Sequence, residues 1–292
     1  MKIGVTAFLT EKSGNPGTIA AAAESAGFES FWVAEHLVIP AAYTTYYPRS
    51  PDGKVPEFYA HLADPFVALA AAAQATSRIR LGTSVCLLAE RNPIETAKAA
   101  ATLDMYSGGR LMLGVGAGWF PEEAAIMGVD FKRRWRHLRE SVEAMRELWS
   151  KPEAGYQGEI IKFPPVRLFP KPVQRPYPPI FLGAHDPGPA LKRVARWADG
   201  WMPGGLSPEM AEQCIPQVKR MARENGRDPE RMEFSVMLGI GDAQQTPSAE
   251  ALKRYAAAGI GRVIILAGET AVRDGVEVVK GLAPLIELAA RV

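Results

Sequence analysis

The chain has 292 residues, of which 47% are hydrophobic and 23% charged, so it can bury a large core. Its 34 basic and 32 acidic residues leave a net charge of +2, which argues against nucleic acid or an anionic membrane as partner. No run approaches the roughly 18 apolar residues of a membrane span, and the apolar start at residues 3–9 predicts a strand rather than a signal peptide. Cys86 and Cys214 have neither metal-ligand spacing nor a disulfide framework, so we expect a reducing, cytoplasmic setting.

Eight short apolar segments, each followed by a helical pattern, run the length of the chain. Parallel strands buried on both faces show such continuous apolar runs and need helical crossovers between them. Eight such units in this length predict an α/β fold, a closed (β/α)8 TIM barrel that forms a single domain over residues 1–292. The predicted strands are residues 3–8, 30–34, 79–85, 111–116, 180–183, 200–202, 234–237 and 262–266. In such a barrel the active site lies at the C-terminal ends of the strands.

Two segments interrupt the alternation. Residues 37–63, after the second strand, contain Tyr43, Tyr46 and Tyr47, and a connection this long over the barrel mouth predicts a lid. Residues 151–179, before the fifth strand, predict a hairpin formed by residues 155–163 and 166–169, followed by a stiff proline-rich return.

Local signals mark the helix starts. Asp64-Pro65 and Asn92-Pro93 each place a good N-cap before a proline at the first helical position. The alanine-rich residues 68–73 are expected to pack on the barrel, and a homodimer interface is a further use for their small side chains.

The ends of the second and fourth strands carry candidate site residues. Glu35 and His36 follow the second strand, where a histidine can donate a hydrogen bond or pass a proton near neutral pH, or can simply be satisfied by backbone. Residues 114–118 hold three glycines before Trp119, which let the backbone approach a flat ligand. Their spacing does not match the dinucleotide fingerprint, so we do not expect a Rossmann site.

The loops after the fifth and sixth strands complete the mouth. The fifth strand ends in Gly183, Ala184 and His185. Residues 203–209 place Gly204 and Gly205 before a helix capped by Ser207, which is typical of an anion site but also of an ordinary turn. The four histidines lack metal-ligand spacing, and no nucleophile elbow or P-loop is present, so no metal is expected. This set of residues suits a planar cofactor that supplies its own chemistry.

Several stretches together resemble the luciferase-like monooxygenase superfamily, and more closely its branch of probable F420 (deazaflavin)-dependent oxidoreductases. The resemblance covers nearly the whole chain. The stretches that carry it are residues 31–36, 76–85, 91–93, 102–110, 113–119, 169–173 and 198–201.

The resemblance implies roles for particular residues. Glu35 and His36 would lie beside the reactive ring, and a non-proline cis peptide between Ser84 and Val85 would back its centre. The residues implied in contact with the ring, the ribityl chain or the phosphate are Gly116, Ala117, Gly118, Gly183, Ala184, His185, Gly204 and Gly205.

There is one departure from the pattern. Trp119 stands where the sugar-phosphate dehydrogenases of this branch have a catalytic carboxylate, which argues against a carboxylate general acid and a sugar-phosphate substrate. Glu122 and Glu123 lie just beyond it and are assigned no role.

These observations predict an oxidoreductase that transfers a hydride between F420 and a small organic substrate. His36, with Glu35, would be catalytic, with His36 donating a proton or hydrogen bond, and the substrate pocket would be formed by Trp119, Tyr43, Tyr46 and Tyr47. The alternatives are an FMN-dependent two-component monooxygenase and a flavin-binding barrel without turnover. We expect a homodimer acting on a small molecule.

Overall fold

A computed structural model describes residues 1–47, 50–240, 246–267 and 274–292. The predicted barrel is confirmed: eight parallel strands close in the order β1-β10-β9-β8-β7-β4-β3-β2, while β5 and β6 form a separate two-stranded sheet. The strands are β1 (Lys2–Ala7), β2 (Ser30–Val33), β3 (Arg80–Thr83), β4 (Leu111–Val115), β5 (Ala154–Gln157), β6 (Lys162–Val166), β7 (Ile180–Leu182), β8 (Gly200–Trp201), β9 (Glu233–Ile240) and β10 (Arg262–Ala267). Parallel pairing of β1 with β10, in the register Lys2 opposite Arg262, closes the ring.

Helices surround the barrel. They are α1 (Pro16–Ala26), α2 (Pro65–Ala75), α3 (Pro93–Tyr106), α4 (Pro121–Ile126), α5 (Arg134–Ser150), α6 (Pro187–Trp197), α7 (Pro208–Glu224), α8 (Ala249–Ala258), α9 (Gly275–Leu282) and α10 (Pro284–Ala290). Both predicted N-caps are confirmed, since Asp64 and Asn92 each accept hydrogen bonds from two backbone N–H groups in the helix that follows. None of the helices in the described ranges is long and apolar enough to cross a membrane.

The barrel interior is filled rather than open. Six fully or nearly buried side chains from six strand segments form its core: Trp32, Met112, Phe181, Met202, Met237 and Ile264. The Trp32 indole occupies the space where a Cβ on Gly82 would lie. Gly82 therefore serves close packing inside the barrel.

The insertion after β2 packs against α4 at the barrel mouth. The Glu122 carboxylate accepts hydrogen bonds from the backbone N–H and the hydroxyl of both Thr44 and Thr45. These bonds, led by the one from the Thr45 hydroxyl, lower the pKa of Glu122 to about 2. A carboxylate that stays ionised thus fastens the segment to α4 at Thr44 and Thr45.

The hairpin before β7 turns earlier than the sequence predicted. Its strands are β5 and β6, so the turn spans residues 158–161 and residues 166–169 do not form the second strand. The Glu140 carboxylate of α5 accepts the backbone N–H groups of Glu159, Ile160 and Ile161, and it occupies the position of a Cβ on Gly158. A contact with a helix that lies about twenty residues away in sequence therefore sets the turn.

Candidate active site

A cavity of about 330 Å³ opens at the C-terminal ends of the barrel strands. This volume falls within the range of small-molecule sites, about 300–1,000 Å³. Every barrel strand or the loop that follows it contributes, together with two tyrosines of the insertion. The lining residues are Phe8, Ala34, Glu35, His36, Tyr47, Tyr59, Ser84, Val85, Leu87, Trp119, Gly183, His185, Gly204, Met237 and Leu266.

His36 lies on this cavity with both ring nitrogens engaged. Its Nδ1 lies 2.6 Å from Oε2 of Glu123, and the indole Nε1 of Trp119 lies 3.3 Å from its Nε2. An indole N–H can only donate, so Nε2 accepts and the Nδ1 hydrogen is donated to the carboxylate. The neutral imidazole therefore holds its lone pair on Nε2, the nitrogen that can take up a proton.

Glu123 is one of the site residues to which the sequence analysis assigns no role. It is fully buried in the first turn of α4, and its other oxygen accepts the backbone N–H groups of Leu37 and Val38 at 2.9 and 3.3 Å. The one sequence signal for it is Pro121, which marks a helix start directly after the glycine-rich end of β4. A carboxylate thus contacts His36 at Nδ1, while position 119 holds a tryptophan that contacts Nε2.

Glu35 holds loops in place rather than offering a free carboxylate. One oxygen accepts the backbone N–H of Leu87 at 2.6 Å, and the other accepts the Nε of Arg91 at 2.6 Å. Arg91 also bonds Asp64, the N-cap of α2. Burial alone would lower the pKa of Arg91, but its hydrogen bonds to Glu35 raise it. This ion pair ties the ends of β2 and β3 together beneath the cavity.

A third carboxyl group, Glu90, lies close to the other two. It is 3% exposed, and neither carboxyl oxygen has a hydrogen-bond partner among the described residues. Burial, reinforced by the negative charges of Glu123 and Glu35, raises its pKa to about 8. Glu90 therefore carries a proton at neutral pH. Gly118 has a φ of +78°, and a Cβ there would overlap with the Glu90 carboxyl group.

One wall of the cavity is formed by Ser84 and Val85. The peptide bond between them is cis, as the resemblance implied. The Val85 side chain sits over Gly116 and Gly183, where a Cβ would lie only 2.7 and 2.5 Å from its methyl groups. These two glycines make room for Val85. Gly183 also lines the cavity, whereas Gly116 does not.

Comparison with known proteins agrees with this fold. The model of the luciferase-like monooxygenase family matches residues 10–277. The chain belongs to this family. An uncharacterised protein of Mycobacterium tuberculosis is 37% identical over 286 residues, which cover 97% of this chain and 98% of that protein. An F420-dependent glucose-6-phosphate dehydrogenase of Amycolatopsis mediterranei is 30% identical over 224 residues, covering 75% of this chain and 62% of the relative.

Solved structures share the barrel of this luciferase-like chain. An F420-dependent secondary alcohol dehydrogenase in complex with an F420-acetone adduct superposes with a TM-score of 0.76 at 21% identity, over 99% of both chains. The monooxygenase RslO1 from Streptomyces bottropensis gives the same TM-score and identity, over 97% of this chain and 98% of that one. At this identity the likeness shows the fold. The family and its dehydrogenase relatives make this luciferase-like protein an enzyme of the oxidoreductase class.

The loop after β8 in this luciferase-like barrel differs from the expected anion site. The His185 ring packs on Gly204, with Nδ1 2.9 Å from the Gly204 carbonyl oxygen, and both residues line the cavity. Gly205 does not, because its N–H is donated to the Met237 carbonyl at 2.8 Å. Ser207 caps α7 by accepting the N–H of Met210. The Gly205 N–H is thus donated within the protein, and a contact of Gly205 with a phosphate stays a prediction.

The remaining predicted residues divide between the cavity and its surroundings. Trp119 and Tyr47 line the cavity, and their rings lie 5.4 Å apart. Tyr43 instead packs on Phe120, and Tyr46 is 65% exposed, so neither lines it. Three further residues lie outside its lining: Ala117, Gly118 and Ala184. Tyr59, which was not predicted, lines the cavity with its hydroxyl 2.9 Å from that of Tyr47. Within the described residues, no three His, Cys, Asp or Glu side chains are placed to hold a metal ion.

Proposed function

We propose that this protein transfers a hydride between F420 and a small substrate that carries an alcohol or carbonyl group, with His36 exchanging the hydroxyl proton. The observation that carries the proposal is the Glu123–His36 pair, which places the lone pair of His36 on Nε2, where it accepts the Trp119 indole hydrogen. The F420-dependent glucose-6-phosphate dehydrogenase relatives support the choice of cofactor.

The residues at the mouth fit a planar redox group. Val85, Met237 and Leu266 give the cavity a largely apolar base, while His36, Ser84 and His185 add a few polar groups. Such a composition is typical of sites in which a cofactor carries the chemistry and the protein orients it. Bound there, F420 would supply a carbon that accepts or returns a hydride.

The protein's own part is the proton. An alcohol carbon that loses a hydride must also lose the hydroxyl proton as its C=O bond forms, and His36 Nε2 takes up that proton as its hydrogen bond from the Trp119 indole breaks. Glu123 stabilises the resulting imidazolium, because its carboxylate already accepts the Nδ1 hydrogen. In the reverse direction the imidazolium returns the proton to the carbonyl oxygen. Trp119 and Tyr47 exclude water from this part of the cavity.

The cofactor is tested by titrating the protein with F420 and with FMN under anaerobic conditions. We expect F420 to bind more tightly. Tighter binding of FMN with oxygen-dependent turnover would replace the proposal with the two-component monooxygenase.

The role of His36 is tested with a panel of small alcohols, followed through the loss of F420 absorbance. We expect His36→Ala to lower turnover about 10²–10⁴-fold, the usual effect of removing a positioned acid–base group. His137→Ala, at a half-buried histidine of α5 outside the cavity, is the control and should leave turnover unchanged. An unchanged rate in His36→Ala would reduce His36 to a structural residue.

We also propose that the protein is a homodimer that pairs through α2. Ala68, Ala72 and Ala73 are buried against the barrel, whereas Val67 is 72% exposed and Ala70 is also exposed. Their small, apolar side chains let a second helix approach closely. Sedimentation analysis should show a dimer that Ala70→Glu dissociates, and a monomeric wild type would contradict this.

A further inference from the structure

A second cavity of about 290 Å³ lies between α5 and α6 on the outer wall of the barrel. Its lining includes Trp135 and five cationic side chains, namely Arg136 and Arg139 of α5 and Lys192, Arg193 and Arg196 of α6. No carboxylate lines it. A concave surface with only one sign of charge concentrates counter-ions.

The positive charge of this basic cleft is not balanced by its surroundings. Arg136 pairs with Glu159, and Arg139 lies 3.8 Å from Glu143. In the described parts of the chain, no carboxylate lies within 4 Å of the other three cations, Lys192, Arg193 and Arg196. These three positive charges lie on one helix, α6, and Asp186 at its N-cap acts on Arg193 only from beyond direct contact.

The Arg193 side chain is held in a fixed orientation. Its guanidinium carbon lies 4.0 Å from the centre of the Trp135 ring, over the ring face. The Arg193 side chain is partly buried, and this burial lowers its pKa. A stacked guanidinium keeps the N–H groups along its edge free, and that edge matches a carboxylate or phosphate with two parallel hydrogen bonds.

The basic cleft is separate from the active-site cavity, although the two lie near one another. They share no lining residue. The helix α6 begins two residues after His185, and Lys192 lies seven residues beyond His185, which corresponds to about 10 Å along a helix. On the other side, Arg134 at the start of α5 donates its Nε hydrogen to the Gly118 carbonyl at 3.2 Å.

We propose that the basic cleft binds a small polyanion carrying two or more phosphate or carboxylate groups. The small volume, about 290 Å³, fits a compact anion better than an extended macromolecule. The net charge of the chain is only +2, so the excess of positive charge is confined to the cleft, which also favours a small anion over a macromolecule. Lys192, Arg193 and Arg196 of α6 together engage at least two anionic groups of such a ligand.

The proposal is tested by calorimetric titration with tripolyphosphate at 50 and 200 mM NaCl. We compare the wild type, a Lys192→Gln/Arg196→Gln variant and a control, Arg167→Gln/Arg231→Gln. The control removes two strongly exposed arginines elsewhere, each paired with one carboxylate. We expect the cleft variant to bind at least tenfold more weakly than the wild type, and the control to bind within twofold of it.

Thermal unfolding gives an independent readout. Tripolyphosphate should raise the Tm of the wild type and of the control, and it should leave the Tm of the cleft variant unchanged. A wild type that does not bind tripolyphosphate, or a control that loses as much affinity as the cleft variant, would overturn the proposal. Binding of poly-L-glutamate without binding of tripolyphosphate would also overturn it and assign the cleft to an acidic protein chain.

Discussion

Replacing Glu90 with glutamine is expected to remove a pH-dependent loss of stability from this protein. Glu90 is buried without a hydrogen-bond partner among the described residues, beside the charges of Glu123 and Glu35. Its pKa is about 8 in the folded protein, against an ordinary value of 4.5. The contribution of Glu90 to the free energy of unfolding is therefore fully present below pH 4.5, and it is lost as the pH rises towards 8.

The size of the effect follows from the difference between the two pKa values. Each unit corresponds to about 1.4 kcal/mol, so the whole span amounts to an upper limit of about 5 kcal/mol. Most of the accessible change falls between pH 6 and pH 9, where proton linkage predicts that Glu90 lowers the free energy of unfolding by about 2–3 kcal/mol. Glutamine keeps the shape and cannot ionise, so the variant lacks this decrease.

Urea unfolding from pH 6 to pH 9 measures the difference directly. The free energy of unfolding of Glu90→Gln minus that of the wild type should rise by about 2–3 kcal/mol across this range. Glu95→Gln is the control, because it changes an exposed carboxylate of α3 close to Glu90 in the sequence. Its free energy of unfolding should vary with pH in parallel with that of the wild type. Parallel curves for Glu90→Gln and the wild type would refute the conclusion that Glu90 is buried as a neutral acid.

Three further predictions each concern one substitution at a contact described by the structure. Glu123→Gln should lower turnover at least about tenfold, roughly 1.4 kcal/mol, because it removes the charge behind His36, and F420 affinity should change less than threefold; unchanged turnover in steady-state assays would contradict this. Gly118→Ala should lower the free energy of unfolding by about 1–3 kcal/mol, because of the positive φ and the overlap with Glu90, and the loss should be smaller in a Glu90→Ala background. Arg262→Met should cost about 3–5 kcal/mol in urea unfolding, because it leaves Glu29 without its bidentate partner, and a loss below 1 kcal/mol would show that water replaces the arginine.

Features that depend on neighbouring residues could be predicted without coordinates. The alternation of apolar runs and helical patterns predicts the barrel, because buried strands and amphipathic helices each leave a pattern in consecutive residues. Asp64 and Asn92 were identified as N-caps for the same reason, since each acts on the N–H groups two or three residues ahead. The location of the site followed from the barrel, and His36 followed from its place at the end of β2.

Features that depend on segments remote in sequence required the three-dimensional fold. The partner of His36 lies 87 residues away, and nothing near Glu123 in the sequence distinguishes it from Glu122, which instead accepts hydrogen bonds from the insertion after β2. Gly205 has the local pattern of an anion-binding turn, yet its N–H is taken by the Met237 carbonyl of the adjacent strand. Folding brings such groups together. Once a carboxylate is buried, its role depends on the hydrogen-bond donors and charges that surround it rather than on its neighbours in the sequence.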